Sequence, residues 1–165
     1  MSQVEVLINS VEKSRASYLN TVQRLSKDNI EFKKNEYSWN IIEITEHLYW
    51  AEFLGVAVMA KVLNEILEGK KELKYDSKNK GLSIEKVIDL TWKEKEQVPD
   101  IAAPRVRGSF KFWITSFISL EKILFEFGNK LTDDMLRVIA HAHPISGELD
   151  YHQRLEFLRY HIDRH

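Results

Sequence analysis

The stretch HAHPISGELDYHQRLEFLRYHIDRH, residues 141–165, decides how this chain is read. It opens inside a connection, Leu136 to Gly147, whose Pro144 and Gly147 mark it as irregular. From Asp150 onward the pattern becomes helical. Asp150 and Gln153 stand three apart, as the two halves of a capping box do. Behind them Tyr151, Leu155, Leu158 and Ile162 recur at steps of three and four, the signature of one buried helical stripe. At about 100° per residue, His165 falls on that stripe and His161 on its flank beside Arg154, whereas His152 comes out roughly opposite His161. Two imidazoles four residues apart on one helical face can grip a single divalent ion. The same spacing also occurs in helices that bind nothing, so the remainder of the chain has to decide between the two readings.

Working outward, the sequence predicts further long helices. Val4, Leu7, Ile8, Val11, Tyr18, Val22 and Leu25 form a helical stripe in a segment running from Val4 to Leu25, followed by a polar, aperiodic loop from Ser26 to Asn35. A second helix is expected from a Ser38 cap, with Tyr37 and Ile42 as a hydrophobic staple, to about Glu68 before Gly69. Its first half carries Trp39, Glu43, His47, Trp50 and Leu54 on one face. From Trp50 to Leu67 it is apolar nearly all round, which places it either at the centre of the fold or against a partner subunit, and a homodimer is expected on that ground. His47 reads as a hydrogen-bonded core histidine, the commoner role for a lone histidine among apolar neighbours, or as a ligand, and Glu43 as its orienting partner or a solvated charge.

The polar stretch 69–81, GKKELKYDSKNKG, reads as an exposed loop with solvated lysines. Ser83 caps a third, shorter helix to about Gln97. A crossover bracketed by Pro99 and Pro104 carries Arg105 and Arg107, which would suit a carboxylate substrate if they faced a cleft. Ser109 opens a fourth helix with Phe110, Trp113, Ile114, Phe117, Leu120 and Leu124 on one face, ending at Gly128. A brief capped turn is expected at Thr132, with Asp133 and Asp134 in its first turn.

Composition narrows the function classes. A length of 165 residues is most simply one domain, 1–165, large enough for a real core. A net charge of −1 with interspersed signs carries no nucleic-acid footprint. With no cysteine, a disulfide framework, a thiolate metal site and a cysteine nucleophile are all excluded, so any metal is held by nitrogen and oxygen. No apolar run is long enough to cross a bilayer, and the N-terminus does not read as a secretory signal, so a cytoplasmic location is expected. Only six glycines and three prolines punctuate the chain, which suits a few long helices. The fold expected is all-α, a four-helix bundle with a long crossover connection and short accessory helices.

WNIIEITEHL with Trp39, Glu43 and His47, HPISG with His143, Pro144 and Gly147, and HIDRH with His161 and His165 together resemble the DinB-like metal-binding four-helix bundles, in the branch with an HP-x-x-G element before the last helix. The resemblance spans almost the whole chain in helix order. It implies His47, His161 and His165 as metal ligands, with zinc or nickel as the divalent ion, and His143 as a group that lines or supports the site without ligating. It also implies chemistry similar to that of bacterial thiol-dependent transferases using bacillithiol-type thiols. There a metal-bound thiol or water becomes the nucleophile for S-transfer or hydrolysis of a small-molecule substrate. One departure is that His165 is the last residue, whereas family members commonly continue. A frayed helix end predicts weaker metal affinity, and the terminal carboxylate offers a further oxygen. Beside the enzyme stand two alternatives: a non-catalytic metal- or ligand-binding bundle acting through a protein partner, and a metal-free bundle with ordinary core histidines.

Overall fold

The computed structural model describes residues 1–92 and 98–165. Four long helices form the bundle: α1 (Gln3–Val22), α3 (Ile41–Leu67), α5 (Phe110–Gly128) and α6 (Tyr151–Arg164). Two short helices, α2 (Lys27–Glu31) and α4 (Ile84–Thr91), and one antiparallel hairpin, β1 (Ile139–His143) with β2 (Gly147–Asp150), complete the regular elements. The chain is all-α apart from that hairpin. α1 packs chiefly on α6 and α3 on α5, with α1 also against α5 and α3 against α6.

The expected stripes are the faces that the helices bury. Val4, Leu7, Ile8, Val11, Tyr18 and Val22 of α1 meet Ile114, Phe117, Leu120 and Leu124 of α5 and Leu155, Leu158 and Ile162 of α6 in the core. Capping boxes set three of the starts: Ser2 with Glu5 for α1, Asn40 with Glu43 for α3, and Asp150 with Gln153 for α6. Ser83 and Ser109 cap α4 and α5 as the sequence predicts. The expected continuation of α4 to Gln97 lies outside the described residues.

Several local expectations are corrected. α3 starts later than Ser38. Its cap is Asn40, whose side chain accepts from Glu43 N while the Glu43 carboxylate accepts from Asn40 N at 2.9 Å. Ser38 instead closes a turn with Asn35, and Tyr37 is 88% exposed, so no staple forms. Residues 26–35 contain α2, capped by Ser26. Thr132 makes no side-chain cap, because the neighbouring Asp133 serves another helix: its carboxylate accepts from Gln3 N and Val4 N, 2.9 Å each, at the start of α1.

The segment read as irregular holds the hairpin. Its turn is closed by the side chain of His143, whose Nδ1 accepts from Ile145 N and Ser146 N at 3.2 Å, and Gly147 follows at φ +75°, a conformation glycine adopts without strain. Asn79 ties the 69–81 loop to this hairpin by donating to Ser146 O (2.7 Å) and Glu148 O (3.0 Å).

The apolar circumference of α3 follows from its position. It touches α2, α5, α6, β1 and the 3₁₀ turn Asp100–Ala102, so most of its surface is covered from within the chain. Inside the bundle Arg15 of α1 donates to Phe117 O (2.8 Å) and bonds Glu52 of α3, with Glu12 at 3.1 Å.

Candidate metal centre

Three imidazoles converge between α3 and α6. His47 and His161 are both buried, and their Nε2 atoms lie 3.0 Å apart. The ring of His165, on the exposed last residue, stands 5.2 Å from that of His47 and 5.0 Å from that of His161. One ligand atom from each of the three lies within 4.8 Å of the others, an arrangement that can hold a metal ion. On a tetrahedral zinc with Zn–N bonds of roughly 2.0–2.1 Å, two nitrogens stand about 3.3 Å apart, so small ring movements suffice.

The protonation states fit ligation. His47 Nδ1 donates to Ala102 O at 2.8 Å, which leaves Nε2 as the atom with a free lone pair. Burial lowers the pKa of His47, opposed in part by that hydrogen bond. Burial also takes His161 well below the ordinary histidine value, reinforced by the neighbouring His47 and His165. His165 is lowered to about 4 by burial of its ring and by His47 and Arg164. All three are neutral at pH 7 and able to donate lone pairs.

A second layer holds the first. Glu46, fully buried, sends its carboxylate to the crossover, where Oε1 accepts from Arg105 N and Val106 N at 2.7 Å each and Oε2 from Arg107 N at 3.3 Å. The residues 46 and 47 therefore grip the same loop, one through its amides and the other through the carbonyl of Ala102. Arg107 takes a left-handed backbone, φ +56°, within this nest. The Trp39 ring packs 5.1 Å from that of His47. Glu43 is occupied elsewhere, capping α3 and pairing with Lys33 at 2.7 Å.

Beside the histidines opens a cavity of about 660 Å³, a size typical of small-molecule sites. Its walls are mainly apolar, from Leu54, Val58, Ile101 and Phe157 among others, and they include His47, His161 and His165. His143 lines it outside the triad. Its ring stacks on Trp92 (5.9 Å) and tilts against Phe157 (4.5 Å), and because Nδ1 accepts from the turn amides, the proton sits on Nε2. His141 also lines the cavity, with Nδ1 donating to Ala142 O at 2.9 Å. His152 takes no part; its backbone N–H donates to Leu136 O, and its side chain does not reach the cavity wall.

Arg105 and Arg107 do not line the cavity. Arg105 lies over the Trp50 ring at 4.2 Å and donates to Ile101 O and Ala103 O. The arginines in the wall are Arg154 and Arg164. Sequence reasoning missed Glu46, the Ala102 carbonyl, His141 and Arg154 as parts of the site. For Arg154 a signal existed, since it stands two helical turns before His161; for Glu46 none did, because its partners are backbone amides some sixty residues away.

Among the described residues, no helix is long and apolar enough to cross a membrane. Among protein families, the DinB superfamily matches this chain over residues 10–165. No curated protein and no solved structure matches significantly.

Proposed function

The chain belongs to the DinB superfamily, and on that premise we propose that it is a metal-dependent enzyme whose divalent ion, zinc or nickel, is held by His47, His161 and His165. The observation that carries this reading is the meeting of three neutral imidazoles, ligand atoms within 4.8 Å, at the edge of an apolar cavity of about 660 Å³. An ion bound there supplies Lewis acidity that lowers the pKa of a thiol or a water near neutral pH. Three protein ligands leave a position open for such a group, as catalytic sites do and closed structural sites do not.

The chain's own residues contribute the rest. Ala102 O and the Glu46 nest fix the orientation of His47, so that Nε2 faces His161 before anything binds. The apolar wall, with Leu54, Val58 and Ile101, would receive the apolar body of a substrate. The reaction class proposed is S-transfer from a low-molecular-weight thiol, or hydrolysis, on a small-molecule substrate in the cytoplasm. The same reading has the bundle working as a homodimer, with Val58 and Leu67 of α3, 40% and 59% exposed, as candidate contacts; sedimentation velocity measures this directly.

The test is elemental analysis of protein purified without chelator, followed by thermal melts and turnover with a thiol and electrophile panel. Stoichiometric metal, a melting temperature that falls on chelation and thiol-dependent turnover are expected, and His47→Ala should lose all three. A fully metallated His47→Ala protein would sink the ligand assignment. Full metal occupancy without turnover across the panel would favour the non-catalytic binding bundle instead.

A further inference from the structure

The chain contains two deeply buried arginines; each leaves its Nε without a hydrogen-bond partner, but only Arg15 has carboxylates beside it. Arg15, 2% exposed, has Glu52, Glu12 and the Phe117 carbonyl around it. Arg154, 4% exposed, has Nε and Nη1 completely buried with no partner among the described residues. Its guanidinium lies 5.4 Å from the centre of the Phe157 ring and forms part of the cavity wall. No acidic side chain lines that cavity among the described residues. A guanidinium buried without a counter-charge is costly, and folded proteins retain such groups where something outside the chain completes them.

The backbone makes room for it. Gly55 sits in the middle of α3, where glycine is about 1 kcal/mol worse than alanine, and a Cβ there would stand 3.1 Å from Arg154 Nη2. A second unpartnered group shares the wall: His141 Nε2 is buried without a partner, and with its proton on Nδ1 it presents a lone pair. The site therefore sets one guanidinium without a counter-charge in the wall of a largely apolar pocket.

We propose that Arg154 anchors the carboxylate of the molecule that fills this cavity, and so that the substrate or ligand is an apolar compound bearing a carboxylate. The match is one of charge and of hydrogen bonding: a guanidinium N–H, here from Nη2 because Nε and Nη1 are closed off, makes a charge-assisted bond to a carboxylate oxygen. Arg164, the other arginine of the wall, is engaged over the Trp92 ring at 4.9 Å. Burial lowers the pKa of Arg154 to about 10, so the guanidinium is charged at neutral pH. The inference deepens the enzyme reading above and rests on it for the cavity's role as a substrate pocket.

Benzoate, benzamide and inorganic phosphate serve as probes, titrated by calorimetry into the full chain, once chelator-treated and once zinc-loaded. The chelator-treated arm removes direct coordination of a carboxylate to the ion. Benzoate is expected to bind roughly 10- to 100-fold more tightly than benzamide in both arms, the worth of a charge-assisted pair. Arg154→Met should erase that difference while melting no lower than wild type, and Arg154→Lys should keep only part of it. Equal binding of benzoate and benzamide to wild type overturns the proposal whatever the variants do, as does wild-type benzoate affinity in Arg154→Met. Phosphate binding more tightly than benzoate overturns the carboxylate class. Loss of zinc binding with benzoate binding intact would overturn the metal reading alone, and zinc binding without benzoate discrimination would overturn this one alone.

Discussion

Nε2 of His47 lies 3.0 Å from Nε2 of His161, across 114 residues of chain. With His47 donating from Nδ1 to Ala102 O, its Nε2 is an acceptor, so His161 must offer its Nε2 proton across that gap when no ion intervenes. Metal binding moves the His161 proton to Nδ1 without changing net charge, and nitrogen-15 NMR of the imidazoles should register the tautomer switch on zinc addition.

The three histidines should not weigh equally. At metal 100-fold above Kd, native-state binding adds about 2.7 kcal/mol, roughly 5–10 °C in Tm for a chain of this size. His47→Ala and His161→Ala should remove the whole increment, since both rings are buried at the centre of the cluster. His165→Ala should remove less, because His165 is the exposed C-cap residue of α6 whereas His47 and His161 are buried. Calorimetric melts with and without zinc order the three variants.

Glu46→Ala leaves the amides of Arg105, Val106 and Arg107 and the Trp50 indole without their acceptor. A loss of about 3 kcal/mol is expected from charge-assisted bonds of this kind. The same loop carries Ala102 O, so metal affinity should fall by roughly 10- to 100-fold, as when other outer-shell partners are removed. Glu46→Gln keeps one carbonyl acceptor and should show the milder form of both effects in urea melts and zinc titrations.

Acidification should destabilise the fold through His141 and His143. Burial, then the charge of Arg154, holds them at about 4 and about 3. Both folded values lie below the roughly 6.5 of an unfolded histidine. The unfolded chain therefore takes up protons first as pH falls, and stability present above about 6.5 is lost progressively toward 3–4. His143→Asn preserves an acceptor for Ile145 N and Ser146 N while removing the titration, and its Tm-versus-pH curve should be shallower. Arg154→Met should raise the pKa of both imidazoles in an NMR titration.

The buried Arg15–Glu52 pair gives a stability test independent of the site. Removing one partner strands the other, so Arg15→Ala should cost about 3–5 kcal/mol. Replacing both, as Arg15→Met with Glu52→Leu, should fall near wild type, because the pair's desolvation cost disappears together with its attraction. Denaturant melts of the single and double variants separate the two outcomes.

What the chain fixes locally, its sequence shows. The stripes of α1, α5 and α6, the caps at Ser83, Ser109 and Asp150, and the inward turn of His161 all follow from hydrogen bonds and side-chain neighbours within about four residues. Local errors arose where two residues competed for one role: Asn40, with Glu43 three positions on, is a better capping box than Ser38, and that signal was present. The hairpin was hidden because IAHAH carries only one β-branched residue and its turn is held by the His143 ring.

The tertiary structure alone decided the site. That His47 meets His161, that Glu46 and Ala102 hold the crossover against α3, that Arg105 and Arg107 turn away and Arg154 takes their place in the cavity all depend on contacts between residues far apart in sequence. Helical periodicity states which face is buried but not which helix it faces, at what height or in what rotation. Those are settled by interdigitation of side chains across the whole core. The three ligand candidates were legible as residues with the right chemistry, and packing made them neighbours.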